Sequence, residues 1–510
     1  MKAEHLRRAS RWGGVALTAS LVATYAASLG GGFLNYDDPW LIEANPWLRA
    51  GLGDALTAFF FDLRPRTRLQ LGAEYLPLRD LSMWLDVALF GLRPQAMRAV
   101  QLGLYVVACL AFRAAFRRTL GPLRGELWAW LFALHTVHVE SVAWLAGRKD
   151  VLALLFMGLA LWRHARDGRD ARVSVPLLWL AACLSKSMSV GFIGPLLAMD
   201  LLLGRRPDLR RHGLGAILVG SVLAVHVYVG GLVEMVGGPL EGDRFRAAQV
   251  MGEVWLRYAR ISLDPSASNL RHDIPAPEGW GASLAGWALL LGWGGAALAA
   301  WLRGRRSGPD RGSVALAAWL WFAVPLAPVS QVLVPLQNVL ADRYLWLSVA
   351  GPMLLLVCAD RLVSIESRGL RRLLRGPALL WVVLLALGTL VRVPLFADSR
   401  RLWFDATART ERDPYAPYQL GDALEAAGRE EEAMAAFRAA LTRDGLRTRV
   451  SVRATNNLAK LLAARGRLPE ARALLSQALE AFPEEPKLHE NLRKVDDAME
   501  AVARPPRRLR

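Results

Sequence analysis

Cysteine is almost missing from this 510-residue chain, and acid is in deficit. Cys109, Cys183 and Cys358 all lie inside apolar runs, so they read as small packing residues and give no case for disulfides or a metal cluster. Against 63 Lys plus Arg there are 45 Asp plus Glu, a formal net charge of +18. A soluble chain this basic would raise nucleic acid as a partner. Here 54% of the residues are hydrophobic and the charge is interleaved with apolar stretches, which excludes nucleic acid as the expected partner and points to a bilayer.

Those stretches run for roughly 15–23 residues, close to what a bilayer core demands. Their spacing predicts about eleven spans, near 12–31, 96–117, 126–146, 151–165, 174–188, 189–204, 213–232, 281–302, 313–335, 343–361 and 377–396. Arginine collects in alternate loops. Arg7, Arg8 and Arg11 precede the first span, and Arg117, Arg118 and Arg124 follow the second. The series continues with Arg163, Arg166, Arg169 and Arg172, then Arg205, Arg206, Arg210 and Arg211. It ends with Arg303, Arg305 and Arg306, then Arg368, Arg371, Arg372 and Arg375. The positive-inside bias makes that side cytoplasmic. The basic N-terminus begins like a signal peptide, but the run is long and has no small-residue cleavage site, so a retained signal-anchor is expected.

The opposite side carries two sizeable loops, near 32–95 and 233–280, with amphipathic stretches LSMWLDVALFGL and EVWLRYARISLDP. After Phe396 the composition turns to Ala-, Glu- and Arg-rich helix. Anchoring on Leu420-Gly421 puts Ala433, Phe437 and Ala440 at tetratricopeptide spacings, and anchoring on Leu458-Ala459 puts Ala471, Leu475, Ala478 and Pro483 at the same offsets. A short insertion is expected near 445–449, a capping helix over 488–502, and support from a helix near 402–412. A generic pair of helical hairpins is the plainer alternative. The last residues, ARPPRRLR, read as a solvated basic tail.

Four polar groups fall at the outer ends of the spans, where charge is costly unless it meets a partner or a cavity. Asp37 and Asp38 follow the first span in FLNYDDPW, a sequence that would also suit a solvated turn. In HTVHVESVAWLAGRKD, His135 and His138 are spaced for one helical face, Glu140 points elsewhere, and Arg148, Lys149 and Asp150 mark the outer turn. The histidines could bind metal, but buried packing needs no third ligand. Lys186 in LSKSMSV could snorkel or meet a lipid phosphate. Asp342, Arg343 and Tyr344 open a span, either as a structural Asp–Arg pair or as a phosphate or sugar contact.

Through these motifs, with YLPLRDLSMWLDVALFGL, LADRYLWL and the terminal repeats, the chain resembles bacterial relatives of the transmembrane tetratricopeptide-repeat O-mannosyltransferases. These are GT-C class glycosyltransferases dependent on polyprenyl-phosphate sugars. The resemblance implies an all-α, polytopic, GT-C-like membrane domain over 1–396 and a periplasmic tetratricopeptide α-solenoid over 397–510. It also implies sugar transfer from a polyprenyl-phosphate donor to an acceptor hydroxyl, on protein Ser/Thr or on a glycan, at the periplasmic face of the bacterial inner membrane. Asp37 or Asp38 would be the general base. Lys186, Arg343, Tyr344, His135, His138, Glu140, Arg148 and Asp150 would surround the donor phosphate and sugar. No cofactor is required, although a divalent metal could bind at Asp37 and Asp38. A non-catalytic scaffold that recruits partners through its repeats, and a lipid-linked glycan ligase or flippase, are the alternatives.

Overall fold

A computed structural model describes residues 2–232, 240, 243–277, 279–304, 311–332, 336–362 and 375–503. Arg305, Arg306, Arg368, Arg371, Arg372 and the basic end from 504 to 510 lie outside the described residues, as do the side chains of Arg7, Arg8 and Arg375. Among the described residues there is no β-strand. The chain divides into two compact units. Unit 1 comprises Met1–Ser268 and Pro275–Ala397; unit 2 comprises Asn269–Ile274 and Asp398–Arg510.

Unit 1 begins with α1 (Lys2–Tyr25), α2 (Leu52–Phe60), α3 (Pro65–Gln70), α4 (Pro77–Phe90), α5 (Pro94–Leu120) and α6 (Pro122–Ala133). Proline opens α3 to α6, where its missing N–H costs nothing and its fixed φ suits the first turn. There follow α7 (His138–Ala143), α8 (Arg148–Arg166), α9 (Ala171–Ser185), α10 (Ile193–Leu202), α11 (Leu209–Leu232) and α12 (Arg244–Leu263). The unit closes with α13 (Gly281–Gly304), α14 (Arg311–Leu326), α15 (Ala350–Val357), α16 (Ala359–Leu362) and α17 (Arg375–Arg392). Helix α5 packs on α6 and α8, α8 on α9, α9 on α11, and α14 on α10, α13 and α15. Phe116 stacks on Trp128 with ring centroids 3.5 Å apart, and Phe132 and Trp321 extend this aromatic core.

Among the described residues five helices are long and apolar enough to cross a membrane: Pro94–Leu120, Leu209–Leu232, Gly281–Gly304, Arg311–Val329 and Gly376–Ala397. They mark a multi-pass membrane protein. Several of the eleven expected spans are not continuous helices. The stretch 126–146 is broken, because α6 stops at Ala133 and α7 has only six residues. His135 therefore lies in the connecting turn, not on a helical face with His138. The β-branched Thr136 and Val137 favour that break, and its exposed carbonyls are taken by neighbouring side chains. Tyr105 donates to the Ala133 carbonyl at 2.8 Å, and Thr389 to Leu134 at 2.8 Å. Gln101 serves Ser141, Val142 and Trp144. Non-helical backbone inside a membrane unit survives only when its polar groups are met in this way. Likewise 343–361 is a 3-10 turn followed by the eight residues of α15, with α16 after it.

Unit 2 is a right-sized repeat array: α18 (Ser399–Ala408), α19 (Tyr415–Ala426), α20 (Glu430–Asp444), α21 (Arg449–Ala464), α22 (Leu468–Ala481) and α23 (Pro486–Ala503). The expected repeat positions are buried, except Pro483, which is exposed after α22. A Cβ at Gly421 would fall 2.5 Å from the Phe437 ring, so only glycine allows α19 and α20 to approach. The insertion is a turn with Gly445 and Leu446 at positive φ, held by the Asp444 carboxylate accepting from the Arg447 and Thr448 N–H groups at 2.9 and 2.8 Å. Helix α18 packs on α19 as the expected support, and α23 caps the array. Segment Asn269–Ile274 joins this unit through Asp273, whose carboxylate accepts from the backbone of Glu411, Arg412 and Asp413.

Candidate active site

The two neighbouring acids after α1 have different surroundings. Asp38 is fully buried; its Oδ2 accepts from the Leu34 N–H at 2.9 Å and its Oδ1 from the Ala146 N–H at 3.2 Å. It pins the acidic loop to the turn before α8. Burial drives its carboxyl up to about 7, against the pull of those two N–H groups and of Arg98. Asp37 is partly accessible and takes a hydrogen bond from the Trp40 side chain. Burial raises its carboxyl above the usual range, Lys149 and Arg343 pull it back, and Glu74 pushes it up again.

Lys149 and Arg343 act on this acid and Lys186 lies near those two cations, each of the three being tied to a carboxylate. Lys149 Nζ lies 2.7 Å from Glu74, Arg343 Nη1 2.6 Å from Glu140, and Lys186 Nζ 2.5 Å from Asp150. Arg343, read from the sequence either as a partner of Asp342 or as a phosphate or sugar contact, bridges to Glu140. Lys149 and Arg343 remain partly accessible. Lys186 is sealed, with its ammonium 4.9 Å from the centroid of the Trp346 ring. Glu74 also meets Arg79 at 3.1 Å. Burial pushes its carboxyl up, but Lys149 and Arg79 more than offset this and hold it at about 2. Tyr344 lies beside Arg343, whose guanidinium is 5.8 Å from its ring centroid.

The remaining expected residues, His135, His138, Arg148 and Asp150, are buried. His135 sets Nε2 against the Ser262 carbonyl at 3.2 Å and accepts from the Val137 N–H at Nδ1. His138 Nε2 lies 2.7 Å from the Trp346 carbonyl. Both rings are fully buried and directed to different elements, so they do not converge. Arg148 is buried on Gln101, Ser82, Asp86 and the Met97 carbonyl. Asp150 accepts from Ser141 at 2.7 Å as well as from Lys186. Gly147 lets this turn close: a Cβ there would sit 2.6 Å from the Ser141 carbonyl oxygen. Asp38 has both oxygens on backbone N–H groups, and no cluster of three or more His, Cys, Asp or Glu could share a metal among the described residues.

Sequence reasoning missed Glu74 and Tyr36, and gave Lys149 no role. Tyr36 stacks on Trp144 at 4.6 Å, beside the acidic loop. Glu74 is delivered by the turn at Gly72 and Ala73, both at positive φ, which leaves no periodic signal. Lys149 could have been found, since one step along α8 turns it about 100° from the buried Arg148. Arg98 and Gln101, three apart at the start of α5, were a further legible signal. Arg98 donates to the carbonyls of Gly32 (2.7 Å), Phe396 (3.1 Å) and Ala143, bracing the acidic loop against the re-entering chain.

A family model described as tetratricopeptide repeat matches residues 424–495. Protein O-mannosyl-transferase TMTC1 of Mus musculus is 36% identical over 147 residues, which is 28% of this chain and 16% of that protein. Its Homo sapiens counterpart is 33% identical over 147 residues, 28% of this chain and 17% of that protein. Protein O-mannosyl-transferase TMTC2 of Homo sapiens is 26% identical over 275 residues, 52% of this chain and 27% of that protein. The chain is a relative of the protein O-mannosyl-transferases. It spans well under a third of the length of these O-mannosyl-transferase relatives, between 16% and 27%. The repeat match runs from the end of α19 into α23, so it covers the second expected repeat and the second helix of the first.

Proposed function

We propose that this protein is a GT-C class membrane glycosyltransferase that moves a sugar from a polyprenyl-phosphate donor to an acceptor hydroxyl, on Ser or Thr of a protein. The observation that carries the reading is Asp37, a partly accessible acid set among carboxylate-braced cations at one end of unit 1. Asp37 takes the proton from the acceptor hydroxyl as its oxygen attacks the anomeric carbon. The bond from that carbon to the phosphate oxygen breaks, and the carrier departs as a phosphate already stable as an anion. No general acid is needed, unlike the paired carboxylates of glycoside hydrolysis. Single displacement inverts the anomeric centre. Lys149 and Arg343 meet the charge that grows on the phosphate. Lys186, Asp150, Arg148, His135 and His138 hold the surrounding structure in shape, and Asp38 fixes the loop.

Helix geometry supports a periplasmic site on a bacterial inner membrane. Helix α5 has 27 residues and is therefore about 40 Å long. It carries Arg98 at the site end and Arg117 and Arg118 at the other, and α8 runs the same way from Arg148 to Arg163 and Arg166. The arginine-rich end would face the cytoplasm. On this reading residues 1–396 are catalytic, and the repeats of 397–510 face the periplasm, where stacked helices offer a surface for a polypeptide. Reconstitution in membranes with a panel of polyprenyl-phosphate sugars and a Ser/Thr peptide tests the reading. Transfer of a sugar with inverted configuration is expected, and no transfer from any member of the panel would count against it.

A further inference from the structure

At the arginine-rich end of unit 1, the C-terminal ends of α8 and α10 and the N-terminal ends of α9 and α11 border a cavity of about 520 Å³. Five arginines line it: Arg169, Arg172, Arg205, Arg206 and Arg211. Three aspartates share the lining, and each is already engaged. Asp167 pairs with Arg211 at 2.8 Å. Asp208 accepts from the backbone N–H of Arg210 and Arg211 at the head of α11 and pairs with Arg172 at 3.2 Å. Asp200 is buried between His164 and His212, at 2.7 and 2.8 Å, and ties α8, α10 and α11 together.

The cavity therefore holds more cationic charge than its acids neutralise. Arg169 and Arg206 are exposed and, among the described residues, carry no ion pair. Arg211 is only 5% exposed, yet its Nε finds no hydrogen-bond partner. A buried guanidinium N–H without an acceptor is unfavourable, and the arginine fork matches the oxygens of a phosphate. Just along α11, Leu209, Leu214 and Ile217 are 82%, 40% and 69% exposed. Apolar side chains bared on a membrane-length helix beside a cationic cavity suit a ligand with a phosphate head and hydrocarbon chains.

We propose that this cavity binds the phosphate diester of an anionic phospholipid headgroup, which clamps the four helix ends together. The inference is independent of the transfer reaction. It is tested on the full chain in detergent, by native mass spectrometry and thermal unfolding, with phosphatidylglycerol, phosphatidylcholine or inorganic phosphate added. Phosphatidylglycerol is expected to bind selectively and raise the unfolding temperature. In the R169Q/R206Q variant, whose exposed side chains leave the fold intact, binding should weaken about fivefold for each arginine removed. Equal binding of phosphatidylglycerol to the wild type and R169Q/R206Q would overturn the site. An equal thermal shift from inorganic phosphate alone would overturn the lipid as its source.

Discussion

Asp37→Asn and Asp38→Asn should separate chemistry from scaffolding at adjacent residues. Asp37→Asn leaves the loop's anchors in place but removes the proton acceptor. A positioned general base contributes about 10²–10⁴ in rate, so kcat should fall by that factor, roughly 3–5 kcal/mol on the barrier, with little change in thermal stability. Asp38→Asn acts on the fold. An amide offers one oxygen to the two N–H donors of Leu34 and Ala146, and its NH2 must oppose the other, at about 1–3 kcal/mol of stability. A protonated carboxyl avoids this by turning its O–H away. The Asp38 carboxyl is raised to about 7 in the folded chain from about 3.9 when unfolded. Its contribution to stability is therefore complete below about pH 4 and is lost as pH rises through about 7. The deficit of Asp38→Asn should be largest in acid and shrink toward alkaline pH. Sugar transfer to an acceptor peptide gives kcat, and tryptophan fluorescence during heating at several pH values gives stability. Near-normal turnover in Asp37→Asn would remove the base assignment. Equal loss of stability in the two single variants would refute the division of roles.

Lys149→Ala should raise the KM for the lipid donor about tenfold, the loss of one charge-assisted contact, and leave the KM for acceptor unchanged. Glu74 keeps Arg79 at 3.1 Å in this variant, so the fold should persist; unchanged donor KM would deny Lys149 a phosphate role. Lys186→Ala strands Asp150, which is 1% exposed, and should cost about 3–5 kcal/mol of stability. Adding Asp150→Asn should restore most of it, and a Lys186→Ala protein as stable as the wild type would show the pair to be solvated. The acidic limb of the kcat–pH profile should lie at higher pH than that of kcat/KM for the donor, and coincident limbs would rule out coupling between donor and base. Reporter fusions after Arg412 and at the C-terminus should be active in the periplasm; activity confined to the cytoplasm would overturn both the topology and the placement of the repeats.

The repeats were legible because small residues at fixed offsets carry a strict steric meaning, and Gly421 against the Phe437 ring shows why the offset cannot slip. The membrane class was legible from run length alone. The number of continuous helices was not, since hydropathy marks what is buried and is silent on where the backbone turns. Residues 126–146 are apolar enough to read as one span, yet the carbonyls of Ala133, Leu134, Ala143 and Trp144 are met by Tyr105, Thr389, Arg98 and Gln101 from distant helices. The same limit applies to the site. Asp37 and Asp38 look alike in sequence, and only the Leu34 and Ala146 N–H groups on Asp38 distinguish them. Likewise, spacing identified Lys186 and Arg343 as cations at the right end, while their accessibility depends on Asp150 and Glu140, far away in the chain.

Pairing each cation with a carboxylate gives the proposed site a property that free lysines and arginines would lack. An unpaired charge in a poorly solvated site is costly to keep, so Glu74 and Glu140 hold Lys149 and Arg343 in place before any donor arrives. Those same cations keep the Asp37 carboxyl from rising as far as burial would take it. When a donor phosphate engages Lys149 and Arg343, its negative charge offsets theirs at Asp37, while Glu74 stays close. The Asp37 carboxyl should then rise and become a stronger base, at the stage when an acceptor hydroxyl must lose its proton. Once the carrier leaves, the cations act on Asp37 unopposed and favour release of the proton it took. Base strength would thus follow donor occupancy through charge alone, with no movement of the backbone required.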